Sequence, residues 1–195
     1  MYPLIRFATE LWLARKEEPL PLDGTHVSTH RCMPWDIDIW GELNNGRTLT
    51  LFDLGRIPLA GRVGLIKVLR ENRWGLTMAG ASVRYRRRVR AFDKVEMHSR
   101  CIGRDEKFLY LQQSMWRGDE AANSILYRSA VTDRNGIVPT QIVAEALGQP
   151  DWNPPLPAWV QAWIDAEAER VWPPERDGGA PDAGVADVKL DHRAA

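Results

Sequence analysis

The chain has no surplus of either charge: 26 Lys and Arg stand against 26 Asp and Glu in 195 residues. A general nucleic-acid binder carries a basic excess, so the balance argues against nucleic acid as a partner. Cysteine is scarce. Cys32 and Cys101 stand alone, outside any CxxC pair, so they form no disulfide framework and read as two semi-buried thiols in a reducing cytoplasm. No apolar run approaches the ~20 residues that cross a bilayer, so no stable membrane insertion is expected. The first residues, MYPLIRFATELWLARKEE, place no basic leader before their apolar part and make a poor secretory signal. Gly-x-Ser-x-Gly and a phosphate loop are both missing, which removes serine-hydrolase and nucleotide-triphosphatase readings. Of His26, His30, His98 and His192, only His26 and His30 share a spacing of interest. A pair is far short of a ligand set, so no metal and no cofactor are expected.

What is present divides into four stretches. Residues 1–24 hold a short amphipathic helix over 1–15 and a connector containing Pro19, Pro21 and Gly24. Leu4, Ala8, Leu11 and Trp12 share one helical face, with Phe7 beside them. That face is expected to pack on the protein's own body; the alternative, a membrane surface, is weakened by the sparse basic residues. Residues 25–149 form the main domain. Thr25–Met33 reads as a strand, 34–43 as a loop, and Asn44 or Asn45 as the N-cap of a helix that Pro58 should end or kink. A second helical stretch covers Val63–Glu71.

From Val83 the period changes to two. Val83, Tyr85 and Arg87 alternate with arginines, and three further alternating runs follow near Val95, Phe108 and Ile125. Turn signals at Asp93, Gly103, Gly118 and Asn135-Gly136 separate or close them, which describes an antiparallel meander. Pro139–Leu147 reads as a helix closed by Gly148. Residues 150–172 form a Trp-rich helical extension, with Trp152, Trp159, Trp163 and Trp172 packing onto the body or a partner subunit. Residues 173–195, rich in Pro, Gly, Ala and Asp, read as a disordered tail. A helix ahead of such a meander implies an α+β layout, one sheet wrapped around one helix.

Thioester hydrolysis needs a nucleophile or an activated water, and donors for the charge that grows on the carbonyl oxygen. Asp38 and the helix start at Asn45 and Gly46 offer both within a few residues, because a helix N-terminus presents free amides and a positive dipole end. The same residues admit a plainer reading, in which the loop acids only cap turns and the helix. Glu42 divides likewise between an alternative base and a solvated side chain near a helix dipole. Asp53 and Arg56 are expected to pair at i,i+3.

The segment DIDIWGELNNGRTLTLFDLGR, residues 36–56, resembles the hot-dog superfamily in its 4-hydroxybenzoyl-CoA and acyl-CoA thioesterase branch. Asp36, Asp38, Gly41, Asn44, Asn45, Asp53 and Arg56 carry the likeness. The following strands are similar to those of the thioesterase superfamily member six proteins. Glu42 and Thr48 stand where that branch commonly has His and an aromatic residue.

The resemblance implies a curved antiparallel sheet around a long central helix, with N- and C-terminal helical extensions added. It implies a cytoplasmic homodimer or tetramer that hydrolyses an acyl-CoA thioester, with Asp38 as nucleophile or base and the Asn45 amide polarising the carbonyl. Asn44, Gly46 and Glu42 would then line the substrate site. Arg84, Arg86 and Arg88, read as one strand face together with Arg90, would grip the CoA phosphates or else be a solvated face. The alternative is a non-catalytic acyl-CoA or lipid-binding hot-dog protein, and a hydratase reading lacks a histidine in 36–48.

Overall fold

The computed structural model describes residues 2–174; the tail expected over 173–195 lies almost wholly outside the described residues. Helix α1 (Leu4–Ala14) leads to strand β1 (Thr25–Arg31) and a single 3-10 turn at Pro34–Asp36. Helices α2 (Asn45–Arg62) and α3 (Leu65–Asn72) follow, then strands β2 (Gly75–Tyr85), β3 (Lys94–Arg104), β4 (Leu109–Arg117), β5 (Glu120–Asp133) and β6 (Gly136–Ile137). Helices α4 (Thr140–Ala146) and α5 (Ala158–Ala168) complete the described chain. The sheet runs β1-β3-β4-β5-β2, with short β6 added beside β5, and every pair is antiparallel.

Alternation gives the sheet its two faces. In β4, Leu111, Gln113 and Met115 turn toward α2, while Tyr110 turns the other way, against Val160 and Trp163 of the α5 segment. The core on the α2 side is built from Leu51, Phe52 and Leu54 against Met97, Met115 and Ile125, all nearly inaccessible. Each such side chain contributes about 1.5–3 kcal/mol on burial.

That burial explains why the helix continues past Pro58, where the sequence predicts an end or a kink. Interior proline costs about 3 kcal/mol, but Leu59 and Ala60 beyond it are buried and hold the chain helical to Arg62. Gly55 lets the helix sit close on the sheet. A Cβ there would lie 2.5 Å from Ser99 Oγ and 2.7 Å from Met97 Sδ.

Two further expectations are corrected. Strand β2 begins at Gly75, well before Val83, and ends at Tyr85. Arg86, Arg88 and Arg90 therefore lie beyond the strand, and of the three only Arg86 shares a groove with Arg84. Helix α1 is rotated so that only part of its expected apolar face meets the body. Phe7 packs on the core, Leu11 is half-buried and Ala14 is buried, with Arg6 and Glu10 on the same side, while Leu4, Ala8 and Trp12 face solvent. One buried ion pair and one contact to a neutral histidine help to set this rotation. Arg6 meets the fully buried carboxylate of Asp36 at 2.9 Å, and Glu10 meets His30 at 3.5 Å.

Candidate active site

Helix α2 starts under a side-chain cap. Asn44 has extended ψ, and its Oδ1 accepts hydrogen bonds from the amides of Gly46 at 2.9 Å and Arg47 at 3.1 Å. The cap leaves the amide of Asn45 outside it, on an exposed residue at the positive end of the helix. The carbonyl of Asn45 accepts from Tyr85 Oη at 3.3 Å, which ties the helix start to the end of β2.

Between these two elements lies a cleft of about 170 Å³, lined by Glu42, Asn45, Tyr85, Arg86, Arg88 and Asn123 among others. Glu42 Oε2 pairs with Arg88 Nε at 3.0 Å across its rim. The structure thus brings Glu42, Asn45, Arg86 and Arg88 to one cleft, while Asn44 and exposed Gly46, the neighbours of Asn45 in the chain, are not among its lining residues.

Asp38 stands beside this group on a tight turn. Its backbone amide donates to Glu42 O at 2.9 Å, and the turn is closed by the bridge of Ile37 with Leu43. Its Oδ1 accepts from the Trp40 amide at 2.8 Å and lies 3.5 Å from that of Glu42. Asp38 is half-buried and is not among the residues that line the cleft.

Arg84 is set apart as well. It lines a groove of about 520 Å³ on the α5 side of the sheet, with Arg86, Arg100, His98, Gln112 and Trp116. Arg86 alone of the three arginines reaches both hollows.

Asp36 is a structural residue. Its carboxylate is held by Arg6, by Arg47 and by the Met33 amide, and its carbonyl accepts from the Asn44 amide. Burial pushes this carboxyl up, but the hydrogen bonds from Arg47, Met33 and Arg6 outweigh it and hold the group below the usual aspartate range. Asp53 and Arg56 form the expected pair. Arg56 also stacks over the Tyr127 ring at 4.4 Å, and Tyr2 donates to Asp53 at 3.1 Å. Burial raises the Asp53 carboxyl, and Arg56 pulls it back in part.

One hollow carried no sequence signal. An apolar pocket of about 50 Å³ opens between the second half of α2 and the sheet, walled by Leu22, Ile57, Ala60, Leu76 and Met78 among others. Its walls come from distant segments, so no local motif could mark it. No group of three or more His, Cys, Asp or Glu side chains suited to a metal occurs among the described residues.

The family model described as "Thioesterase-like superfamily" matches residues 32–164. Protein THEM6 of Drosophila melanogaster is 28% identical over 138 residues, 69% of this chain and 69% of the fly protein. Protein THEM6 of Xenopus laevis is 28% identical over 134 residues, 68% of this chain. The chain spans only 63% of the frog protein and 55% of its Danio rerio relative, less than two thirds of either.

Among solved structures, YbaW, a probable thioesterase from Escherichia coli, superposes with a TM-score of 0.60 at 15% identity. The match covers 64% of this chain and 97% of YbaW. Slr0204, a 1,4-dihydroxy-2-naphthoyl-CoA thioesterase from Synechocystis, gives 0.55 at 11%, covering 66% and 98%. SAV2348 from Staphylococcus aureus, solved in complex with CoA, gives 0.54 at 12%, covering 73% and 93%. These likenesses establish the hot-dog fold.

Proposed function

Because the chain belongs to the thioesterase-like superfamily, we propose that it hydrolyses an acyl-CoA thioester to the free acid and CoA. The observation that carries the reading is the Asn45 amide, left outside its own helix cap and bordering a cleft with Arg86 and Arg88. In this scheme the thioester oxygen lies against that amide, and Asp38 takes a proton from water. The water oxygen adds to the carbonyl carbon, the C–S bond breaks, and the departing thiolate of CoA is protonated. The arginines of the cleft suit the phosphates of CoA, since guanidinium matches phosphate oxygens two at a time. The CoA neighbour named above supports this ligand class.

The test is release of free thiol from a panel of aryl, short-chain and long-chain acyl-CoAs. Asp38→Asn is expected to lower turnover by about 100-fold or more, with the thermal midpoint unchanged. Turnover equal to the parent would remove Asp38 from the reaction. Glu42→Gln, measured beside it, distinguishes a base at Glu42 from a mere partner of Arg88.

A second reading, acyl-CoA or lipid binding without turnover, has one observation in its favour: Asp38 Oδ1 is engaged in its own turn, outside the cleft lining. Saturable binding with no thiol released across the panel would select it.

The working unit in this proposal is a homodimer, with a tetramer as the larger alternative. Edge strand β2 is 11 residues long and pairs only with β5 among the described residues. It leaves Leu76 and Met78 39% and 36% exposed. Such an edge invites a second copy, and hot-dog proteins pair in this manner. The proposed setting is the cytoplasm, where Cys32 and Cys101 remain buried thiols, both raised by burial, to about 11 and about 12.

A further inference from the structure

We infer that the groove on the outer face of the sheet, the one lined by Arg84, holds the phosphorylated adenosine end of CoA. The ligand would run from the cleft at Asn45, over the end of β2, into that groove. The inference rests on the acyl-CoA reading above and adds to it the residues that select the carrier. Strand register builds the floor. His98 of β3 stands opposite Ser114 of β4, Ser114 opposite Ser124 of β5, and Ser124 opposite Arg84 of β2. Directly opposed residues point to the same face, so the four side chains form one row about 14 Å across, at about 4.8 Å per strand. Two small serines in its middle leave a trough between the longer side chains at its ends. Trp116 Nε1 donates to Ser114 Oγ at 2.8 Å, which fixes the indole on this face. The groove measures about 520 Å³. Small-molecule sites commonly measure about 300–1,000 Å³.

The charge of the groove is of one sign. Arg84, Arg86 and Arg100 line it, and no carboxylate is among its lining residues. Neighbouring arginines are engaged with acids, Arg87 with Glu120 and Arg88 with Glu42. Among the described residues none of the three groove arginines has a carboxylate partner; Arg100 Nη2 donates only to the neutral amide of Gln112, at 3.1 Å. Glu96, two residues from His98 on the same face, is bonded to that histidine at 2.7 Å. Three guanidinium groups that share one hollow without a counter-charge favour an anion rich in phosphate oxygens.

Continuity selects the occupant. Arg86 and Asn123 line both this groove and the cleft at Asn45, so the two hollows meet at the end of β2. Arg86 and Arg84 are two residues apart, about 7 Å along an extended chain. CoA carries its groups in the matching order: the thioester, an uncharged pantetheine arm, then a pyrophosphate, a 3′-phosphate and adenine. With the thioester at the Asn45 amide, the arm crosses beside Arg86. The phosphates meet Arg84, Arg86 and Arg100, and the base meets Trp116, an aromatic surface of the kind on which adenine packs. A free nucleotide would satisfy the charge of the groove but would make no use of its junction with the cleft.

The experiment is calorimetric titration of the full chain with CoA, dephospho-CoA, ADP and pantetheine. The parent is expected to bind CoA at least about tenfold more tightly than each of the other three, since each lacks phosphate or the arm. Arg84→Gln with Arg100→Gln should weaken CoA by about tenfold or more and leave pantetheine where it was, with circular dichroism unchanged. Arg84→Gln alone should weaken CoA in the same direction, and Arg70→Gln, on the exposed side of α3, should bind CoA as the parent does. In turnover, the double variant should lower kcat/KM for an acyl-CoA relative to the matching acyl-pantetheine by about tenfold, through KM. The inference is overturned if the parent does not bind CoA, if ADP or dephospho-CoA binds as tightly as CoA, or if the double variant binds CoA as the parent does. Thiol release with no dependence on the head group would sink this inference and leave hydrolysis standing. Binding that depends on Arg84 and Arg100, with no thiol released, would do the reverse.

Discussion

His30 and Asp36 are the residues on which acid sensitivity turns. His30 is buried beneath α1, with Nε2 2.8 Å from Ser28 Oγ and Nδ1 3.5 Å from Glu10. Burial, then the nearby charges of Arg6 and His26, hold its ring down to about 4. The unfolded chain takes up a proton at this residue near pH 6.5, and the folded chain does not until about 4. Stability is therefore full above pH 6.5 and falls as the pH drops through that window, by on the order of 3 kcal/mol for this group alone. Glu10, raised by burial, runs the other way at the acid end. Urea titrations at pH 7, 6 and 5 should show the decline in the parent and a flatter response in His30→Gln; an identical slope in both would remove His30 as the cause. Asp36, held below the ordinary aspartate range, loses its contribution only at lower pH still. Asp36→Ala leaves Arg6 and Arg47 without their shared carboxylate and should cost about 3–5 kcal/mol, read from the urea midpoint.

Helix α2 shows how an element is set by what it lies against. Its sequence carries a proline and three glycines at 46, 55 and 61, a poor composition for a long helix. The face that meets the sheet compensates, with Leu51, Phe52 and Leu59 buried and Gln113 Nε2 donating to Phe52 O at 2.9 Å. Gly55 is the point of nearest approach. Gly55→Ala gains helix propensity but must displace Ser99 and Met97, so a net loss of about 1–3 kcal/mol is expected by thermal or urea unfolding. A neutral or stabilising result would mean that the helix can lift off the sheet at no cost. Helix α1 is likewise set by what it lies against, since Phe7 and Ala14 pack inward while Arg6 reaches the buried carboxylate of Asp36.

At the scale of the molecule, one sheet separates two layers. Helix α2 lies on one face, and α5 with Trp163 and Ile164 covers part of the other. The catalytic proposal sits at the start of α2 near the close of β2, and the apolar pocket opens toward Leu76 and Met78 on the same edge strand. Pairing through this edge would join site and interface. Leu76→Lys with Met78→Lys should halve the mass measured by sedimentation equilibrium and lower thiol release in parallel. A change in mass without a change in activity would separate the two.

Local signals determined much of this protein. Asn44 announced the start of the helix, alternation announced β3, β4 and β5, and the spacing of residues 36–56 pointed to the family, because capping, strand period and motif spacing are properties of neighbours along the chain. Tertiary structure decided the remainder. It carried α2 past Pro58, began β2 at Gly75, ended it before the arginine run was finished, and chose which side of α1 meets the body. It also assembled the cleft from Glu42, Asn45, Tyr85 and Arg86, and set Asp38 on the turn at its side. Those outcomes depend on buried ion pairs and close packing between residues far apart in sequence, and such energies have no periodicity to read.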